Sequence, residues 1–318
     1  MIRKIKKIVL PAILVAAAYG LLYAAGAGGG SQPLVARRIP PGQYEKSPSD
    51  MVVSFIDVGQ GNSILVEVPS GKTLLYDAGG SLEWMKSSWD PGMKIVVPYL
   101  ESRGIKKVDY AMISHGHGDH SAGFPAVIYN FNIGIFYDPG FPFEGGPYKD
   151  MLEALNARQV DYGILRAGDG DKIDLGKDVE VKVFSPPADF YFQGTNSDTN
   201  NSSILIKIKY KDVSFLFPGD LETRGEAVAA KKYSSELASN VLQVGHHGSF
   251  TSSTMIFLNQ VMPEVAVIPV GKNNMYGHPR AVALNNLKRV GAEIFRTDYD
   301  GTVRVYTDGT KFIVETEQ

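Results

Sequence analysis

From Met51 onward the chain alternates apolar and polar residues at the period of a β-strand. MVVSFIDVG is followed by NSILVEV, a Pro-Ser-Gly turn and KTLLYDAGG, which predicts a strand and then a hairpin. A helix is predicted over 93–103 with Gly104 as its stop, and VDYAMIS (108–114) reads as a buried strand. Residues 121–130 and 147–158 carry helical patterns. Further on, NVLQVG (240–245), EVAVIPVG (264–271) and stretches near 292–297 and 302–315 read as strands, with helices from about 252 and over 280–290. The pattern also repeats. SILVEVPSGKTLLYDAG (63–79) has a counterpart in SILIKIKYKDVSFLFPGD (203–220), each a strand, a tight turn and a strand ending in a Gly/Asp loop. Strands followed by helices, twice over, predict two similar α/β halves with their sheets face to face and helices outside.

The N-terminus follows different rules. MIRKIKK is basic, Ile8 to Ala25 is apolar without a charge, and GAGGGSQP follows. Two readings stand: a signal peptide with Ala25-Gly26-Ala27 as a small-residue cleavage site, or an uncleaved membrane anchor near the lower length limit for a span. Residues 1–27 are therefore assigned to a signal or anchor, 28–50 to a Gly/Pro/Ser-rich linker and 51–318 to one catalytic domain. Both readings put that domain outside the cytoplasm, secreted, periplasmic or tethered to the outer face of the membrane. The chain has no cysteine, which excludes a lipoprotein anchor, disulfides, thiolate ligands and a cysteine nucleophile. It has 32 basic and 34 acidic residues, and four of the basic ones lie in the first 36, so the remainder is acidic. Such a domain has no overall field that favours nucleic acid, and any polyanion must be gripped locally or through metals.

All six histidines fall in three short motifs: HGHGDH (115–120), GHHGS (245–249) and YGHP (276–279). Side chains at i and i+2 of an extended loop share a side, so His115 and His117 can meet one ion, while Asp119 and His120 suit a second. Gly116 and Gly118 let the loop bend around both. Asp220 is delivered by the apolar strand FLF at a Gly-containing bend, and Asp77 occupies the matching place in the first repeat. His246 and His247 are adjacent, so from an extended segment they point apart. The strand exit and the spacing behind Asp220 favour His246 as a ligand, leaving His247 to face substrate. Ser249 and the hydroxyls after it precede a helix, a natural phosphate site. In GKNNMYGHP, Lys272 or His278 can neutralise a phosphate or protonate a leaving oxygen. Asp119 and His278 are the candidates for direct catalytic work, and His247, Ser249, Asn201 and Lys272 for substrate binding.

FIDVGQGNSILV, KTLLYDAGG, VPYLESRGIKKVDYAMISHGHGDHSAGF, NNSSILI, FLFPGDLE, VLQVGHHGSFTSS and GKNNMYGHP occur in that order over nearly all of the chain from Met51. In them the chain resembles the metallo-β-lactamase superfamily, and within it the ComEC-type extracellular domains of DNA-uptake proteins and their stand-alone relatives. The resemblance implies a four-layer αββα sandwich with two divalent ions, Zn²⁺ or Mn²⁺, at one edge between the sheets. It implies that His115 and His117 hold the first ion, that Asp119, His120 and His246 hold the second, and that Asp220 bridges them. Asp77 would orient a ligand histidine from behind. Two positions depart from the wider pattern. Asn200 to Ser203 stand where many superfamily hydrolases place a further histidine, and Asn62 stands where the family's GQGD has an acid, so Asn62 is left out of the site. The expected activity is extracytoplasmic phosphodiester or nuclease-type hydrolysis by water activated between two ions, with a phosphoester, DNA among them, as substrate. The alternatives are a lactonase- or β-lactamase-type hydrolase, and a non-catalytic metal-binding module of a DNA-uptake apparatus.

Overall fold

A computed structural model describes residues 37–80, 90–188, 194–195 and 197–318. The expected signal or anchor over 1–27 lies outside the described residues. Among the described residues no helix is long and apolar enough to cross a membrane.

The repeated hairpins form, and each seeds a sheet. In the first half β2 (Met51–Phe55), β3 (Ile64–Glu67) and β4 (Thr73–Tyr76) pair antiparallel, and then β5 (Lys107–Met112), β6 (Asn132–Asp138) and β7 (Tyr162–Ile164) add in parallel. The second half repeats this order. β8 (Val179–Ser185), β9 (Leu205–Tyr210) and β10 (Val213–Phe217) are antiparallel, and β11 (Val241–Gln243), β12 (Val265–Ile268) and β13 (Glu293–Arg296) follow in parallel. The chain ends by returning to the first sheet, where β14 (Val303–Thr307) joins β2 and β15 (Phe312–Thr316) joins β14. The part of the expected 28–50 linker that is described, from Arg37 onward, is packed on the domain. Arg37–Ile39 is strand β1, parallel to β15, and the following loop is tied down by Gly42 N–H donating to Glu315 at 2.6 Å and Lys46 pairing with Glu67 at 3.1 Å. Three edge residues are too short a run for alternation to reveal. The pattern reading likewise contains no strand at β6, β7 or β8, whose residues are half exposed over much of their length.

Both faces of the central strands are covered, and β2 and β10 are buried at every residue. Between the sheets Phe217 packs edge-on to Phe55 at 6.1 Å and against Tyr76 at 5.7 Å. The Tyr76 hydroxyl donates to the Ile204 carbonyl at 2.7 Å, which satisfies a phenol buried between the sheets. Outside the first sheet, Leu75, Ala111 and Ile113 pack with Leu100, Val127 and Met151 of helices Val97–Ser102, Phe124–Asn130 and Gly146–Ala157. Outside the second, Leu216, Leu242 and Ala266 pack with Phe257, Leu258 and Leu287 of helices Met255–Val261 and Ala281–Arg289. This is the expected four-layer αββα sandwich.

The repeat positions the chemistry. Asp77 and Asp220 leave the ends of the equivalent strands β4 and β10, and HGHGDH and GHHGS follow the equivalent parallel strands β5 and β11. Both halves thus deliver their polar side chains to one edge of the sandwich. Gly80 brings the DAGG loop against the first histidine loop, since a Cβ there would collide with the Gly118 carbonyl oxygen.

Candidate metal centre

His115, His120 and Asp220 offer ligand atoms within 4.8 Å of one another, and so do Asp119, His120 and His247. The chain bends over Ser114–Gly116 and is extended at His117 (φ −66°, ψ 152°), which brings His115 Nε2 to 3.0 Å from His117 Nδ1. At Gly118 the chain turns into a short helix, Gly118–Ser121, which swings Asp119 and His120 toward the second sheet. Asp220 Oδ2 sits at the centre, 3.4 Å from His120 Nε2, 3.6 Å from His247 Nε2, 3.8 Å from His246 Nε2 and 3.9 Å from His115 Nε2.

The buried histidines are held from behind. Asp77 Oδ2 lies 2.7 Å from His120 Nδ1, and the Pro269 carbonyl lies 2.8 Å from His247 Nδ1. Each acceptor fixes the Nδ1–H tautomer and leaves an Nε2 lone pair facing inward. His120 Nε2 and His247 Nε2 face the carboxylate oxygens of Asp220 and Asp119 at 3.4 and 3.2 Å without a well-formed hydrogen bond, and Asp220 Oδ1 is likewise buried without one. Buried polar atoms are rarely left in that state, and nitrogen and carboxylate oxygen are the donors that divalent transition ions prefer. The residues therefore fit the ions that the sequence implies.

Electrostatics point the same way. Burial opposes charge on His120, yet Asp220, Asp77 and Asp119 outweigh it and raise its pKa well above the ordinary value. At His247 burial is likewise outweighed by Asp220 and Asp119. Burial works against ionised Asp220, but His247, His120 and His246 hold its carboxyl well below the usual range. A carboxylate cluster this strong demands positive charge, carried by protons or by metal ions. His115 differs, since burial and then the neighbouring His120 and His117 keep it neutral, as a ligand must be. His278 is pushed down to about 4 by burial and by His247 and His246, so it is a neutral imidazole at pH 7.

The structure places five of the expected site residues differently from the sequence reading. Two adjacent residues point apart only when the chain is extended, and here it is not. His246 (φ 49°, ψ 45°) and His247 (φ 53°, ψ 26°) are both left-handed, an arrangement that strains non-glycine residues by about 1–3 kcal/mol each. Both therefore face one cavity. His247, expected toward substrate, is the buried member of the cluster, while His246, expected as the ligand, lies at the rim with its Nδ1 3.2 Å from Thr251 and 3.4 Å from Glu222. Asn201 does not reach the cavity either. Its Oδ1 accepts from Glu222 N–H and Gly225 N–H and ties down helix Thr223–Tyr233, whereas Asn200 lines the cavity. Ser249 is buried and bonded to Thr251, and the N–H groups of Ser253 and Thr254 are taken by Glu226, so the start of helix Met255–Val261 offers no phosphate site. Lys272 is exposed and lines a neighbouring cavity instead of the metal-centred one.

Sequence reasoning left out Asn62, Gln60 and Glu222. Asn62 Nδ2 donates to Asp77 Oδ2 at 2.8 Å, so the amide that replaces the family's acid supports the carboxylate behind His120. Its place in GQGN was the available signal. Glu222, two residues after Asp220, accepts from Asn200 Nδ2 at 2.7 Å and from Ser197 Oγ at 2.6 Å. The metal-centred cavity has a volume of about 260 Å³, with Gln60, Asn200, His246, Tyr276 and His278 on the walls around the ligand cluster.

Two sheets enclosed by helices, with a histidine- and aspartate-lined edge fed equally by both halves, define the class, and comparison with known proteins agrees. The family model of the metallo-beta-lactamase superfamily matches residues 56–272, and the chain belongs to that superfamily. It is 32% identical over 270 residues to ComE operon protein 3 of Bacillus subtilis (strain 168), covering 82% of this chain and 34% of that protein. It is 31% identical over 256 residues to competence protein ComA of Neisseria gonorrhoeae, covering 80% and 32%. The chain thus spans about a third of the length of these curated relatives. Among solved structures CmlA, a diiron beta-hydroxylase from Streptomyces venezuelae, shares the fold with a TM-score of 0.50 at 13% identity, over 83% of this chain and 55% of that one.

Proposed function

We propose that this protein is an extracytoplasmic, dinuclear metal-dependent phosphodiesterase, with a nucleic acid strand as one substrate of that class. The observation that carries the reading is the set of orphaned buried atoms, His120 Nε2, His247 Nε2 and Asp220 Oδ1, beside a cavity walled by neutral hydrogen-bonding groups. His115 and His117 with Asp220 would hold one ion, and Asp119, His120 and His247 with Asp220 the other. Such ions supply Lewis-acid polarisation of a phosphoryl group and lower the pKa of a coordinated water. Two dications would outweigh the inner carboxylates Asp119 and Asp220, while Asp77 and Glu222 lie behind the histidines, so the favourable charge would be local to the ions. An anionic phosphodiester oxygen would gain more from contact with them than a neutral lactone or lactam carbonyl. Asn200 Oδ1 is buried without a partner and faces the same chemistry, while His246 and neutral His278 stand at the mouth to bind and orient substrate oxygens. Zn²⁺ and Mn²⁺ both suit this mixture of imidazole and carboxylate.

The test pairs metal analysis with an assay panel of bis-p-nitrophenyl phosphate, single-stranded DNA, a lactone and nitrocefin. Phosphodiester turnover that needs added Zn²⁺ or Mn²⁺, and loss of both metal and turnover in Asp220→Asn, are expected. Bound metal with no turnover of any phosphodiester, or turnover of the lactone or nitrocefin alone, would overturn the reading.

A further inference from the structure

A second cavity adjoins the metal-centred one. Its volume is about 580 Å³, and Gln60 and Tyr276 line both. Gln60 stands at the junction in a fixed orientation. Its Oε1 accepts from Gly271 N–H at 3.1 Å, and a Cβ at Gly271 would lie 2.5 Å from the Gln60 backbone nitrogen, so the two loops meet too closely for any larger residue. With Oε1 committed, the amide cannot flip. Its Nε2 is buried and has no partner among the described residues. A donor left unmade at the passage between two cavities calls for an acceptor on a ligand that spans both.

The far walls indicate what that ligand carries. Asp298 is neutralised by paired hydrogen bonds from Arg296 at 2.9 and 2.7 Å. Among the side chains Asp57 and Lys272 add one charge of each sign, and Asn273, Met275, Tyr276 and Gln318 are uncharged. A second phosphate would find no cationic cradle here and would meet Asp57. A neutral polar ring would find donors, acceptors and an aromatic wall. Resting on the phosphodiesterase reading above, we propose that this cavity is the subsite for the neutral hydrogen-bonding substituent of the phosphodiester, of nucleoside type. Gln60 is its specificity-determining donor.

The test uses the full chain loaded with Mn²⁺ and two esters, methyl p-nitrophenyl phosphate and thymidine 5′-monophosphate p-nitrophenyl ester. The nucleoside ester should have a kcat/KM about 10-fold or more above the methyl ester, the discrimination expected of one buried hydrogen bond plus contact area. Gln60→Met should reduce that ratio about 10-fold. Met275→Trp, which fills the cavity from a position 61% exposed and so spares the core, should reduce it as well. Thymidine alone should show saturation transfer from metal-free protein, weakened in Met275→Trp. Equal efficiency with both esters, or a ratio unmoved by either variant, would overturn the subsite and leave the phosphodiesterase reading intact. Thymidine binding that responds to Met275→Trp, with neither ester hydrolysed, would support the cavity assignment and defeat the hydrolytic reading instead.

Discussion

Asp77 Oδ2 lies 2.7 Å from His120 Nδ1 at a point where neither residue touches solvent. The same oxygen accepts from Asn62 Nδ2, and Asp77 Oδ1 accepts from Ser114 N–H at 2.6 Å. One carboxylate therefore satisfies three donors, and its left-handed backbone (φ 61°) turns it back beneath the histidine loop. A carboxamide cannot replace it, because its NH₂ must face one of those donors. Asp77→Asn should weaken Zn²⁺ affinity about 10–100-fold, the usual cost of losing the group behind a ligand histidine. Competition with a chromogenic chelator measures this, and unchanged affinity would show that Asp77 only closes a turn.

The roles proposed for His247 as ligand and His246 as rim residue can be separated by substitution. His247→Ala should lose metal from one position and lower turnover by about 10³-fold or more, the scale of an electrostatic group at a reacting centre. His246→Ala should retain the metal complement of the wild type and lose turnover less steeply, about 10–100-fold, as for a group that orients substrate. Metal counting by mass spectrometry on both variants decides the matter. Loss of metal from His246→Ala with retention in His247→Ala would restore the assignment expected from sequence.

Metal also links to stability. The cluster concentrates Asp77, Asp119 and Asp220 in a buried volume, and without ions their charge is offset only by protons on the histidines. Saturation to about 100 times Kd stabilises a fold by about 3 kcal/mol. In a domain of this size that corresponds to roughly 5–10 °C in Tm. Chelation with EDTA should lower Tm by that amount, readdition of Zn²⁺ should restore it, and Asp220→Asn should remove the difference.

Much of this was legible in the sequence because local rules set it. The hairpins of 63–79 and 203–220 announced themselves by alternation, and their terminal Asp77 and Asp220 fall at equivalent strand ends in the two sheets. His115 and His117 meet as their i, i+2 spacing suggested, although the chain bends over 114–116 and is extended only at His117. The same argument misled at GHHGS, because the left-handed conformation of two successive histidines is imposed by packing and leaves no trace in residue type. Ser249 and the hydroxyls after it read as an open helix start, yet the carboxylate that takes the Ser253 N–H, Glu226, lies 27 residues earlier on another helix. Asn200 and Asn201 are neighbours with opposite fates, since a short helix sends one side chain to the cavity and the other to the next helix. Contacts between distant segments, such as Gln60 with Gly271, lie beyond any periodicity.

Glu226 supplies a pH dependence independent of the metal ligands. It is fully buried, and its two oxygens accept from Ser253 N–H at 2.6 Å and Thr254 N–H at 2.8 Å, just beyond the GHHGS loop. Burial pushes its carboxyl up to about 7 against those two N–H groups, which favour the charged form. A folded pKa above the unfolded value of about 4.5 means that the folded state binds the proton more tightly. Its contribution to stability is then complete below pH 4.5 and is lost as the pH rises through 7, by about 3 kcal/mol in all. Urea unfolding of metal-free protein at pH 5 and pH 8 should show this loss. Glu226→Gln, which cannot titrate, should flatten that part of the profile while lowering stability at pH 5, because its amide NH₂ faces a backbone donor. A wild-type profile that is flat over this window, or one that keeps its slope in Glu226→Gln, would show that the carboxyl stays ionised and serves only to cap the helix Met255–Val261.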